Sequence, residues 1–373
     1  VEKERPAAPA PGQYAALKAA ALLQAEAKLD EFKRITVRDL AYILYRAAAA
    51  FGDADTRLLW RLPHKWKDPE LKFPPFGAAY SRGKFTIDCA SDPSLAGSQL
   101  IELNGVPFEE FIRPVLERVS GETPQLRASL FCRDQFFWWD FSGLLSGAPS
   151  LTVKLKRPDG RLYAGKMGTV TAGEFRRFAD RPGKLKKNIY GHTKIGWLSV
   201  SGLPYSRAER KIWGRFFRDL SGQGTEDLVL DLRQAGSGDP RMADYILSYL
   251  PAELPEKREP AFSGRLKVLI GPGSGSAAAY FAARLRELKA GELLGEETGG
   301  TPDHLGAPKE FELANSGIKF SVATRLYTGH GAGPVEPDLP VTKELLRPYK
   351  GDITPFVLDL IGRERGRKKL AEK

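Results

Sequence analysis

The chain has 373 residues, of which 42% are hydrophobic, 10% aromatic and 28% charged; this composition can bury a full core and excludes disorder as the main state. Lys and Arg number 57 against 46 Asp and Glu, a net charge of +11. No stretch reaches the ~18 unbroken apolar residues of a membrane helix, and no nucleic-acid motif accompanies the charge, which sets nucleic acid aside as a partner.

Residues 1–12, rich in Pro and Ala, read as a linker left after removal of a targeting segment, so an exported protein, periplasmic or extracellular, is expected. Leu17, Ala21, Leu22 and Ala25, then Leu40, Ile43 and Leu44, recur at helical spacing. They predict two helices separated by Ile35, Thr36 and Val37, with Asp30 and Thr36 as caps. Residues 1–71 are thus a linker and helical region. From 72 to 171 the texture is β-rich, with strands at 84–88, 100–103 and 151–155, a turn at Asn104 and Gly105, and a helix over 108–119. Residues 172–194, basic and marked by Gly and Pro, read as a connecting segment.

From 195 to 345 the pattern is regular. Apolar runs at 196–200, 227–232, 266–270 and 292–295 alternate with helical stretches at 207–220, 242–250 and 276–289. Short apolar runs alternating with helices imply parallel strands covered by helices, because parallel neighbours need long crossovers. Residues 311–313 and 318–322 read as a hairpin. The tail, 346–373, carries six basic groups between 362 and 373 against two acids. It reads as a solvated, poorly ordered end, with peripheral contact to an anionic envelope surface as its functional reading. Cys89 and Cys132 have no Cys or His at ligand spacing, so no cysteine-built metal site is expected; one disulfide and two buried thiols both remain open.

The segment most suited to chemistry is 270–279, where an apolar strand ends in a Gly-rich turn and a helix begins at Ser276. A helix N-terminus supplies free backbone N–H groups, so a nucleophile and its oxyanion donors can share one small site. Serine is also a favoured helix cap whatever the function. Gly273, Gly275 and Ala278, with Glu296 further on, loosely fit a dinucleotide-binding turn as well. A second strand runs into a Gly turn at 231–240, placing another loop at the carboxyl ends of neighbouring strands. Further Gly-rich segments follow at 295–301 and 333–338.

In this order, these segments resemble the carboxyl-terminal processing (tail-specific) serine protease family, which includes the tricorn protease core and the retinoid-binding relatives. The counterparts of its motifs are Asp231 to Gly238, Ser274 to Ala279, Gly295 to Gly300 and Pro334 to Asp338. Upstream, Gly52 to Arg57 is similar to a Gly-Asp-x-His-Thr element, and Gly97 to Gly105 to a PDZ-like strand. The resemblance implies an α/β fold with a ClpP/crotonase-like core, an N-terminal helical region and a β-rich PDZ-like middle region. It implies a cofactor-free serine endopeptidase acting on a peptide or protein substrate, with Ser276 as nucleophile and the backbone N–H groups of Gly238 and Ala277 as oxyanion donors.

The general base departs from the family pattern. Thr301 stands where many members have Lys, Asp55 where another lineage has His, and Ala279 where a Glu usually closes the Ser motif. His304, His330 and Asp55 are therefore the candidate bases. The alternative expectation is a catalytically impaired relative that binds peptides or hydrophobic ligands in the same crevice.

Overall fold

The computed structural model describes residues 13–32, 35–59, 71–133, 141–145, 147–179, 186–190 and 193–371. Helices α1 (Gln13–Phe32) and α2 (Val37–Ala49) open the chain. Thr36 caps α2 in a reciprocal box: its hydroxyl accepts from the Asp39 N–H and the Asp39 carboxylate accepts from the Thr36 N–H, both at 3.1 Å. Asp30, expected as a cap, lies inside α1, since the Ala- and Leu-rich run holds the helix to Phe32. A two-residue strand β1 (Arg57–Leu58) follows.

The middle region is antiparallel throughout. Strands β2 (Phe76–Ser81), β3 (Lys84–Ala90), β4 (Gln99–Leu103) and β5 (Val106–Pro107) lead into helices α3 (Phe108–Leu116) and α4 (Pro124–Arg133), then β6 (Ser150–Lys156) and β7 (Leu162–Gly168). The sheet order is β2-β3-β4-β6-β7, with β5 beside β4. Asn104 and Gly105, both at positive φ, make the expected tight turn between β4 and β5. Phe76, Phe85, Phe108, Phe131 and Phe141 fill the core between sheet and helices.

The connecting segment supplies helix α5 (Ala172–Ala179) and an edge strand β8 (Lys186–Tyr190). Then come β9 (Ile195–Ser199), α6 (Arg207–Gly222), β10 (Asp227–Asp231), α7 (Pro240–Leu247), β11 (Arg265–Ile270), α8 (Ala277–Glu287) and β12 (Glu292–Gly295). A long hairpin of β13 (His304–Glu312) and β14 (Lys319–Tyr327) precedes β15 (Leu339–Pro340), α9 (Lys343–Leu346) and α10 (Ile353–Ala371). The main sheet runs β15-β12-β11-β10-β9-β8, parallel except for β8. Both faces are buried, as parallel strands require. Leu228 and Leu230 of β10 face the α6, α7 and α8 side with Phe216, Ile246 and Phe281, while Val229 between them faces Val357 and Ile361 of α10.

Two further expectations are corrected and one open alternative is closed. The basic tail is a packed helix: Phe356, Val357 and Ile361 cover the second face of the sheet, and Arg365 Nε donates to Asp227 Oδ2 at 2.7 Å. Burial of those apolar groups orders a segment whose charge suggested solvation. The hairpin extends over 304–312 and 319–327, longer than the sequence pattern indicated. Cys89 and Cys132 are not joined by a disulfide, and Cys132 is buried.

A third sheet, β1-β14-β13, carries the N-terminal region onto the core. Ala41 and Tyr45 of α2 pack with Leu58 and Ile318 beneath it. This docking brings the turn before β1 against the first residues of β13.

Candidate active site

Ser276 stands at the junction of the turn after β11 and helix α8, 2% exposed. Its backbone is at φ 47° and ψ −122°, a region that side-chain-bearing residues rarely occupy, and it forms no side-chain capping bond. The hydroxyl has no hydrogen-bond partner. A serine placed only to cap would accept from a first-turn amide, so the cap explanation fails on geometry. Ser274, by contrast, is structural: its hydroxyl donates to the Leu232 carbonyl at 2.9 Å and accepts from the Gly271 N–H at 3.2 Å.

Three Gly turns meet here because glycine lets backbones touch. The Gly275 N–H donates to the Ala235 carbonyl at 3.1 Å, joining the turn after β11 to the one after β10. A Cβ at Gly300 would lie 2.8 Å from Ser276 N, and one at Gly238 would lie within 3 Å of Leu203 backbone and side chain. Gly238 forms a bridge with Leu203 that uses the Ser237 carbonyl and the Asp239 N–H, leaving its own N–H out of the bridge. Ala277, as first helical residue, has an N–H without an intrahelical acceptor. Both expected oxyanion donors thus belong to the abutting turns.

The candidate bases separate. His330 is tied up: its Nδ1 meets Glu287 Oε1 at 2.9 Å and its ring sits edge-on to Tyr280. His304 is 3% exposed and stacks on Tyr327, with ring centroids 5.0 Å apart. Its Nδ1 lies 2.8 Å from the Pro302 carbonyl. A carbonyl only accepts, so Nδ1 carries the hydrogen and Nε2 keeps a lone pair. Nε2 is buried and unpartnered, and burial lowers the ring's pKa from its usual value, disfavouring the charged form.

Asp55 lies beside His304. A Cβ at Gly306 would be 3.4 Å from Asp55 Oδ2 and 3.4 Å from His304 Cδ2, so the two side chains share one small pocket. Asp53 Oδ1 holds the turn by accepting from the N–H groups of Asp55 (3.1 Å) and Thr56 (2.5 Å). Ser321 Oγ donates to the Asp55 carbonyl at 2.7 Å, fixing the turn to β14. Burial pushes the Asp55 carboxyl up to about 6, with Arg57 opposing and Asp53 adding.

One acid had no signal in the sequence pattern. Glu122, just before α4, has both carboxylate oxygens shut from solvent without a hydrogen-bond partner. A lone Glu ahead of a helix reads as an ordinary first-turn acid, and only the fold places it here. Thr123 beside it caps α4 and donates to the Gly299 carbonyl. Leu126 of α4 then rests on Gly275 and Gly299, covering the Ser276 turn. Glu296, weighed above as a ribose ligand, is instead committed to the β2–β3 turn, accepting from Ser81 Oγ at 2.6 Å and from the Arg82 N–H. Among the described residues no group of acids, His and Cys could hold a metal ion, and no helix is long and apolar enough to cross a membrane.

No curated protein sequence matches the chain. Among solved structures, mature CPAF complexed with lactacystin is similar, with a TM-score of 0.64 at 14% identity over 99% of this chain and 96% of that one. Mature CPAF gives 0.63 at 14% identity over 95% and 93%. The photosystem II D1 C-terminal processing protease gives 0.45 at 16% identity over 88% and 94%. The CPAF structures share the fold from the N-terminal helices to the tail helix. Residues 194–341 match Peptidase family S41, and they are the residues that build β9 to β15 and the turn of Ser276. Over those residues the chain is similar to a peptidase family S41 domain.

Proposed function

We propose that this protein is a serine endopeptidase that cleaves peptide bonds through an acyl-enzyme on Ser276, with His304 as general base. One observation carries the reading: Ser276 is held on a strained strand-to-helix turn with a buried hydroxyl that caps nothing. Such backbone strain costs about 1–3 kcal/mol and concentrates at functional sites.

In the proposed reaction Ser276 Oγ attacks the carbonyl carbon of the scissile bond and its proton passes to His304 Nε2. The backbone N–H groups of Gly238 and Ala277 stabilise the oxyanion. The imidazolium then returns the proton to the leaving amine as the C–N bond breaks. Water, deprotonated by the same nitrogen, hydrolyses the ester and frees Ser276. The Pro302 carbonyl fixes the tautomer, and Asp55 places a carboxylate beside the ring once it is ionised. Thr301, in the position of the family's Lys, donates its hydroxyl to the Asp303 carbonyl and takes no part.

The test is labelling of the purified protein with a fluorophosphonate, with an active family member as control. Labelling is expected in the wild type and absent in Ser276→Ala. It should slow by roughly 10²–10⁴ in His304→Ala, the usual worth of a positioned base. A folded wild type that does not label would sink the peptidase reading in favour of a peptide-binding relative using the same crevice. Unchanged labelling in His304→Ala would remove His304 as the base.

A further inference from the structure

Glu122 is a buried acid that the acyl-transfer scheme does not use. Its stretch of chain is pinned on both sides. Ser120 Oγ donates to the Thr56 carbonyl at 2.9 Å, tying it to the turn that holds Asp55. Thr123 Oγ1 donates to the Gly299 carbonyl, and Gly300 next to it packs on the Ser276 backbone. Both Glu122 oxygens lack a hydrogen-bond partner, as do Asp55 Oδ2, His304 Nε2 and Ser276 Oγ. Buried polar atoms in folded proteins are ordinarily satisfied. Such atoms on four separate stretches of one connected turn system point to a shared task.

We propose that Glu122 is a positioning residue of the Ser276 site: with Asp55 it forms an electrostatically coupled carboxyl pair that holds a single proton, and loss of that proton strengthens His304 Nε2 as an acceptor. This deepens the serine-peptidase reading and rests on it.

Two carboxyls in one water-poor pocket resist ionising together, so they titrate as a pair in two steps. Burial pushes Glu122 up to about 7, with Asp53 and Asp55 adding and the nearby N–H groups of Glu122 and Ala54, outside full hydrogen-bond geometry, opposing. Asp55, at about 6, ionises first. The charged and titratable groups around the pair are Asp53 in the same turn, Arg57 on β1, Arg127 on α4, His304 on β13 and Tyr327 on β14. Arg127 gives its Nε to the Gly121 carbonyl at 2.9 Å and its Nη2 to the Ala49 carbonyl at 3.1 Å. The sign follows from charge. As pH rises through the upper step the pocket gains a second negative charge, which favours the imidazolium that forms when Ser276 gives up its proton.

The experiment measures the rate of fluorophosphonate labelling of the full chain against pH, alongside carbon-13 NMR titration of its carboxyl groups. The wild type should show two rises, near pH 6 and near pH 7. Glu122→Gln should keep the lower rise and lose the upper, labelling about 3–10-fold more slowly at pH 8, while Glu122→Asp restores the upper one. Asp55→Asn should lose the lower rise and move the Glu122 midpoint down by about half a unit or more, since the neighbouring charge is gone. A Glu122 midpoint unmoved in Asp55→Asn would overturn the pair, whether or not the Glu122 variants fold. Both rises persisting in Glu122→Gln would overturn its action on His304. If the wild type never labels, the serine-peptidase reading fails, and with it the role of Glu122 in the site. The NMR midpoints would then report only whether the two carboxyls are coupled.

Discussion

A serine that begins a helix ordinarily bends its hydroxyl back onto the second or third amide of the first turn, from an extended backbone. Ser206, which precedes α6, does this at φ −143° and accepts from the Glu209 N–H at 3.1 Å. Ser276 does neither, and its φ of 47° suits glycine better than any other residue. This contrast yields a stability test independent of chemistry. Ser276→Gly should melt higher than Ser276→Ala by the equivalent of ~1 kcal/mol, because only glycine relaxes the turn. At an unstrained helix start the order would be reversed or flat, so an alanine variant as stable as the glycine one would remove the strain argument. The place of Ser276 at the start of α8 was legible in the sequence, because an apolar strand, a Gly-rich run and a helical stretch follow one another there. Its strain was not legible. Neither was the difference between His304 and His330, since both follow α8 in loop-like sequence and only tertiary contacts send one to Asp55 and the other to Glu287.

Among the elements, α4 was missed by the sequence reading and matters most to the site. Its sequence, Pro124 to Arg133, mixes polar and apolar residues without one clear stripe, because both sides are used. Phe131 faces the middle-region core while Leu126 faces the Ser276 turn. A helix buried on two sides loses the one-sided pattern by which amphipathic helices are recognised. Strands β2 and β7 were missed for a related reason, their Gly and Ala content masking β propensity. The parallel strands β9 to β12 were legible because burial on both faces leaves short, continuous apolar runs. Leu126 is fully buried against Gly275 and Gly299, and it covers the Ser276 turn. Leu126→Ala should therefore destabilise the protein by about 2–5 kcal/mol and, in the fraction that stays folded, speed fluorophosphonate labelling of Ser276. Slower labelling at temperatures well below the melt would show that Leu126 shapes the site rather than covers it.

At the scale of the whole molecule, the Ser-bearing domain depends on chain segments that flank it on either side. The N-terminal region closes the site from one direction: α2 and β1 pack on the hairpin, and the turn between them delivers Asp55. The C-terminal helix α10 works from the other, covering Trp197, Val229, Leu269 and Leu294 with Phe356, Val357 and Ile361. Its charges are equally committed. Arg365 joins Arg265 on the fully buried Asp227, and Glu364 joins Glu292 on the buried Lys267 of β11, with Lys267 Nζ 2.7 Å from Glu364 Oε1. The basic end of the chain is thus a structural layer whose polar groups neutralise charges buried at the sheet. Truncation after Asp352 would uncover a contiguous apolar face and strand Asp227 and Lys267 with fewer partners, and an unpaired buried charge alone costs several kcal/mol. The truncated chain should lose its cooperative melt and bind the dye ANS, whereas Arg367→Ala, a change at an exposed site on the same helix, should leave the melting temperature within a degree or two. A truncated chain that melts like the full one would show that the sheet is stable with one face open, against the rule that parallel sheets are covered on both.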